Sequence, residues 1–221
     1  MKPNQFLLCL DAGHGGIEPK KNVPYNYTTY PSKCSQLSRG EFHGRGWFFE
    51  GVFNRAVAAL IEKYLKEWGI SVLNVYDPIV DISLSNRVNK ANFAANKFPN
   101  ALYLSIHGNA AQTPNARGWE VFTSVGKTKA DIYAQFLYED VKSIFPKWQY
   151  RVDYSDQDPD KEAQFYVLSK TNFPAVLSEN GFFTNYEDAK MMFDPEFQNA
   201  IALCHCRAVV DYMKQFGYVW A

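Results

Sequence analysis

The 221-residue chain sets 23 Lys and Arg against 23 Asp and Glu, and 47% of it is hydrophobic. That composition excludes a disordered chain, and the balanced charge argues against a nucleic-acid binder or a polybasic membrane patch, which both depend on clustered cations. No apolar run approaches the roughly 18 residues that cross a bilayer. Taken in chain order, Phe6-Leu7-Leu8-Cys9-Leu10 predicts a buried strand. It is short for a secretory core and runs into Asp11 instead of a small-residue cleavage site. Met1 is therefore expected to start a chain without an export signal of its own. Ile17–Trp47, rich in Tyr, Pro, Lys and Ser, has no clean period and reads as a long loop or small insertion.

Glu50–Trp68 predicts a helix, with Phe53, Val57, Leu60, Ile61, Tyr64, Leu65 and Trp68 at three- and four-residue steps and Gly69 as its stop. Ser71–Tyr76 follows as a strand, Leu84–Lys97 as a helix ended before Pro99, and Ala101–Ile106 and Trp119–Thr123 as strands. Thr128–Phe145 is a helix with Ile132, Phe136, Leu137 and Val141 on one face, and Trp148–Gln164 is a second loop carrying Asp153, Asp156, Asp158 and Asp160. Phe165–Leu168 and Ala175–Leu177 read as short strands. The last helix opens with Asp194 as N-cap and Pro195 in the first turn, and runs to Phe216 and Gly217. Apolar runs alternating with amphipathic stretches predict an α/β domain. Of the four cysteines, Cys204 and Cys206 flank His205 on opposite sides of that helix, so they read as free core thiols and not as a metal clamp.

Three apolar runs end alike. The first exits into Asp11-Ala12-Gly13-His14-Gly15-Gly16, the second into His107-Gly108-Asn109, and the third into Ser178-Glu179-Asn180-Gly181. In an α/β sheet the carboxyl ends of parallel strands line one crevice where ligands bind. Neighbouring parallel strands would bring His14, His107 and Glu179 together there, and two histidines with carboxylates in an open crevice suit a catalytic zinc ion. Glu50 opens the first helix; from the residues alone it is either a third ligand or a carboxylate favoured by the helix N-terminus. Asp11 is either a partner orienting an imidazole or a turn residue, and Asn109 either holds substrate or shapes its turn.

These blocks resemble the type 3 N-acetylmuramoyl-L-alanine amidases, zinc hydrolases of bacterial peptidoglycan. The resemblance rests on Leu10–Gly16, on Glu50 with Asn54 one turn later, on Ser105–Asn109 and on Pro174–Asn185. Leu84, Arg87, Ala91-Asn92 and Gly118–Phe122 match as well, so the likeness spans nearly the whole chain. It implies a single domain over 1–221 with an insertion at about 17–47 and no separate cell-wall-binding domain. Its fold would be a twisted, mostly parallel or mixed sheet flanked by helices on both faces. It further implies one Zn²⁺ ion held by His14, Glu50 and His107, with Glu179 as catalytic carboxylate. The expected reaction is hydrolysis of the amide between the lactyl group of N-acetylmuramic acid and L-alanine. The expected partners are the glycan strand and stem peptide, met by a monomer without membrane insertion. The chain would act on the cell wall, released by a lysis or phage-type route. A zinc peptidase acting within the stem and a non-catalytic wall-binding module are the competing readings. The chain departs from the family in its longer stretch between His14 and Glu50, and in Asn180 where a hydroxyl residue usually follows the catalytic Glu. The insertion's Lys20, Lys21, Tyr25, Tyr27, Tyr30, Lys33, Arg39, Arg45 and Trp47 are either a groove wall for sugars and carboxylates or a surface flap, and His43 reads as a turn residue between glycines.

Overall fold

Period-two alternation along the apolar runs sorts their side chains onto two faces of a sheet. The computed structural model describes residues 5–218; Met1, the expected start, lies outside them. Its strands are β1 (Phe6–Ala12), β2 (Cys34–Gln36), β3 (Trp47–Phe49), β4 (Ser71–Asn74), β5 (Asn100–Asn109), β6 (Trp119–Thr123), β7 (Lys161–Glu162) and β8 (Ala175–Phe182). Its helices are α1 (Glu50–Glu67), α2 (Leu84–Ala95), α3 (Lys129–Ile144), α4 (Tyr166–Ser169), α5 (Tyr186–Phe193) and α6 (Pro195–Gln215). Six strands form one mixed sheet in the order β4-β1-β5-β8-β6-β7, parallel except where β6 meets β8. The β2–β3 hairpin stands apart.

Leu8, Leu10, Leu102, Leu104, Ile106 and Val176 join one core with Val57 and Ile61 of α1, Leu137 of α3 and Ile201 of α6. The alternate residues Leu7, Cys9, Tyr103, Ala175 and Leu177 join a second with Val88 and Ala91 of α2 and Val167 and Leu168 of α4. Each fully buried Leu or Ile contributes about 1.5–3 kcal/mol relative to exposure, and this double burial is why β1 and β5 read as unbroken apolar runs. The expected free core thiols are found: Cys204 and Cys206 are buried and unbridged.

The structure corrects the elements in particular places. Phe165–Leu168 is not a strand but the entry to α4, with Phe165 as N-cap and its carbonyl accepting from the Leu168 and Ser169 N–H groups. A four-residue apolar run fits either period, and here the carbonyl of Phe165 closes a helical turn. Helix α5 was not anticipated, although Asn185 caps it by accepting from the Glu187 and Asp188 N–H groups. Strands β5 and β8 run past their apolar cores to Asn109 and Phe182, so His107 and Glu179 sit within strands and face each other in register. On α3 the buried stripe is made by Tyr133, Leu137, Tyr138 and Val141, with Ile132 and Phe136 only partly covered.

Candidate metal centre

The site begins with a backbone turn held from behind. After β1 the chain takes a left-handed conformation at His14, with φ 64°, an uncommon position for a non-glycine residue. Two arginines converge on its carbonyl: Arg55 Nη2 donates to His14 O at 2.7 Å and Arg87 Nη2 at 2.9 Å. Arg87 is itself fixed by the Asp11 carboxylate at 2.6 Å and by Ala12 O at 2.7 Å. Asn54 of α1 donates to Gly13 O at 3.1 Å. Gly13 has no alternative here, because a Cβ at that position would fall into the His107 ring.

Helix α1 delivers Glu50 from the other side. Its N-cap, Phe49, offers no side-chain acceptor, and the first N–H groups of a helix need partners. The insertion supplies them: Glu50 N donates to Lys33 O at 3.1 Å and Gly51 N to Tyr27 Oη at 3.0 Å. The Glu50 side chain, 1% exposed, then lies between two imidazoles. His107 Nδ1 is 2.9 Å from Glu50 Oε1, and His14 Nε2 is 3.2 Å from Glu50 Oε2. One ligand atom from each of His14, Glu50 and His107 lies within 4.8 Å of the others, so the three side chains are able to hold a metal ion. His14 Nε2 is buried and makes no well-directed hydrogen bond, its charge contact with Glu50 apart, so its lone pair stays available inside the group.

The electrostatics agree with an anionic ligand between two imidazoles. Burial alone would raise the Glu50 carboxyl, but His14 and His107 reverse this and hold it well below the usual carboxylate range. His107 is opposed by burial, yet its bond to Glu50 and the nearby Glu179 charge raise its proton affinity. Glu179 is raised to about 8, first by burial and then by the Glu50 and Glu120 charges, with His107 and Lys33 pulling the other way. Its Oε2 is buried without a partner. The crevice above these groups measures about 390 Å³, with Leu84, Phe165 and Tyr166 on one side and Lys33 on another. A larger cleft of about 910 Å³ beside α5 contains none of the three grouped ligands and not Glu179.

Of the residues picked out in the sequence, His14, Glu50 and His107 come together and Glu179 stands beside His107 in register. Asp11 does not reach an imidazole; its carboxylate accepts from Arg87 and from Ser105 Oγ at 2.9 Å, and acts on His14 only through Arg87. Asn109 lines the crevice while its amide donates to Glu120. His43 is packed into the insertion, with Nδ1 accepting from Phe49 N at 2.8 Å. In the aspartate loop Asp160 is buried on Thr123 Oγ1 at 2.6 Å, whereas Asp153 is exposed. Asn180 fastens the strands, donating to His107 O at 3.2 Å and accepting from Trp119 Nε1 at 3.1 Å.

Two contributors escaped the sequence reading. Arg55 was one polar position on a helix, and its role appears only when α1 docks on the β1 turn. Glu120 faces Glu179 across the antiparallel β6–β8 pair, is 4% exposed, and is held by Lys161 and Asn109. A charged residue inside the Trp119–Thr123 strand was the available signal, since such a residue is rarely buried unless paired.

The chain is similar to known proteins in sequence and in fold. Over 154 residues the chain is 32% identical to the N-acetylmuramoyl-L-alanine amidase CwlM of Bacillus licheniformis, covering 68% of this chain and 54% of that protein. It is 26% identical over 213 residues to the endolysin of Bacillus phage SPP1, covering 94% of this chain and 66% of the phage protein. The chain thus spans between half and two thirds of these relatives. The crystal structure of the N-acetylmuramoyl-L-alanine amidase from Clostridium difficile 630 shares its fold, with a TM-score of 0.73 at 23% identity over 96% of this chain and 98% of that one. The family model described as N-acetylmuramoyl-L-alanine amidase matches residues 8–211, and with nearly all of its sheet, helices and crevice inside that match, the chain belongs to this family.

Proposed function

We propose that the chain is a zinc-dependent hydrolase of bacterial peptidoglycan that cuts the amide between the lactyl group of N-acetylmuramic acid and L-alanine. The observation that carries this reading is the convergence of His14, Glu50 and His107, with Glu179 alongside. Two imidazoles and one carboxylate opening onto a crevice fit Zn²⁺ with a position left for water. When bound, the ion supplies Lewis acidity, lowering the pKa of a water ligand to about 7 and polarising the scissile carbonyl.

The remaining work falls to the chain's own side chains. Glu179 takes the proton of the attacking water and passes it to the departing amine nitrogen of L-alanine. Burial and the Glu50 and Glu120 charges raise its affinity for a proton, which suits a group that carries one between the two steps. Phe165 and Tyr166 give the crevice an aromatic lining against which the substrate packs, and Lys33 offers a cation to stem-peptide carboxylates. The protein would act as a monomer on glycan strand and stem peptide at the cell wall, released by a lysis or phage-type route; an endolysin stands among its relatives.

Digestion of purified peptidoglycan tests the reading. The expected products are free lactyl carboxyls and new N-terminal L-alanine; new termini inside the stem would replace it with a stem peptidase. A wall-binding module would release neither product while still sedimenting with the sacculi. Elemental analysis of wild type, His14→Ala and His107→Ala is expected to give about one zinc per chain in the first only.

A further inference from the structure

The insertion that caps α1 also builds a second cleft, which the reaction does not use. Residues 16–28 are zipped onto the turn behind the metal centre: Thr28 N donates to Gly16 O at 3.0 Å, Thr28 Oγ1 to Ile79 O at 2.6 Å, and Gly15 N to Thr29 Oγ1 at 2.8 Å. The cleft between this segment and residues 80–81 measures about 410 Å³, within the range of small-molecule sites. Tyr25, Tyr27 and Tyr30 line it. Tyr27 is buried, stacked on Phe49 at 4.7 Å, and so is a rigid floor. Tyr25, by contrast, is 68% exposed and meets Tyr30 edge to face at 5.3 Å. Tyr30 in turn meets Trp47 edge to face at 5.9 Å, so an aromatic row continues out of the cleft along the insertion.

The polar groups decide what such a row would take. Glu18 and Lys21 form an ion pair at 2.6 Å on the rim, presenting an acceptor and a donor together. Asp81 completes the lining and is committed to Thr29 at 2.9 Å and Arg87 at 3.1 Å. Both carboxylates are paired, Glu18 with Lys21 and Asp81 with Arg87, so the lining offers no surplus cation for an anionic peptide or a phosphate. Aromatic faces with mixed donors and acceptors suit a neutral polyol, because a pyranose ring has an apolar C–H face to pack on tyrosine and hydroxyl or acetamido groups for the rim.

We propose that this cleft is a glycan subsite, which binds N-acetylhexosamine units of the strand next to the muramoyl residue being processed. The inference rests on the amidase reading for the identity of the sugar. Its geometry is independent of the metal: cleft and crevice are neighbours along the same two segments, with Tyr30 and Asp81 lining the cleft and Lys33 and Leu84 lining the crevice. On this proposal a strand whose lactyl group lies at His14 runs between those two segments toward Tyr25 and Tyr30.

Peptide-free glycan strands lack the scissile amide, so the intact wild-type chain can be titrated with them by calorimetry without turnover. Wild type is expected to bind, Tyr25→Ala to bind about tenfold more weakly, Tyr25→Phe to bind as wild type does, and Phe93→Ala, an exposed aromatic on α2, to change nothing. The proposal is overturned by a wild type that ignores peptide-free strands, by a Tyr25→Ala protein that binds as well as wild type, or by equal losses in Tyr25→Ala and Tyr25→Phe. Release of N-terminal L-alanine from whole peptidoglycan, scored on the same wild-type preparation, reports separately on the amidase reading.

Discussion

Two histidines approach β8 from opposite faces and meet opposite fates. His107 stands in register with Glu179 and touches Glu50, and those carboxylates raise its proton affinity in spite of burial. His205 of α6 is fully buried, with Nδ1 2.9 Å from Tyr133 Oη and Nε2 3.3 Å from Ser178 Oγ, and burial pushes it down to about 3. Ser178 and Glu179 are adjacent on one strand and point to opposite faces, so a single residue step separates a packed core from a reactive crevice. The lesson is that burial alone silences a histidine. A carboxylate within bonding distance and a path to solvent make it chemically available.

Experiments can break or sharpen that contrast, beginning with the crevice. Glu179→Gln keeps shape and removes the proton carrier; hydrolysis is expected to fall about 10³-fold, within the usual general acid–base range, while zinc content stays at wild-type level. A loss of zinc along with activity would place Glu179 among the ligands. Behind the site, Asp11→Ala removes the buried carboxylate from Arg87, both side chains being 1% exposed, and leaves it Asp81 at 3.1 Å, so the expected cost in urea unfolding is about 3 kcal/mol, the lower end for breaking a buried pair. A loss under 1 kcal/mol would show that the ion pair is not what holds the His14 turn.

Gly13→Ala displaces the His107 ring without touching its chemistry, and competition with a chelator is expected to show zinc affinity reduced about 10–100-fold, as for other changes that misorient a ligand. On the opposite face, His205 stays neutral in the folded protein from its ordinary value of 6.5 down to about 3. Over that window the unfolded chain binds the extra proton, so this histidine withdraws stability as pH falls, with a slope of up to about 1.4 kcal/mol per pH unit. Urea midpoints of His205→Asn between about pH 4 and 7 are expected to fall less steeply than those of wild type. Parallel slopes would mean that His205 is already charged in the core.

Much of the crevice could be read in advance, because its geometry is local. Three apolar runs of strand length each ended in a chemically distinct turn, and parallel pairing of β1, β5 and β8 follows once helices separate them. Glu50 was identifiable as a candidate ligand only through family likeness, since a carboxylate opening a helix is ordinary. Features set by docking were not legible. Arg55 and Arg87 converge on one carbonyl from different helices, and Glu120 reaches Glu179 through strand pairing across nearly sixty residues of sequence. Phe165–Leu168 failed for a different reason: four apolar residues are too few to distinguish a period of two from a helical turn. The insertion defeated periodicity altogether, because its order comes from hydrogen bonds to the Gly13–Gly16 turn and to the start of α1.

That last attachment constrains anyone who would trim the protein. Lys33 O and Tyr27 Oη answer the two N–H groups that open α1, and the first of those belongs to Glu50 itself. Excising the 17–47 segment to imitate a compact relative would strip both acceptors from the foot of the helix and leave Glu50 on a fraying end. A minimised chain would have to bring its own replacement, a serine or aspartate at position 49, before the proposed metal could be expected to stay.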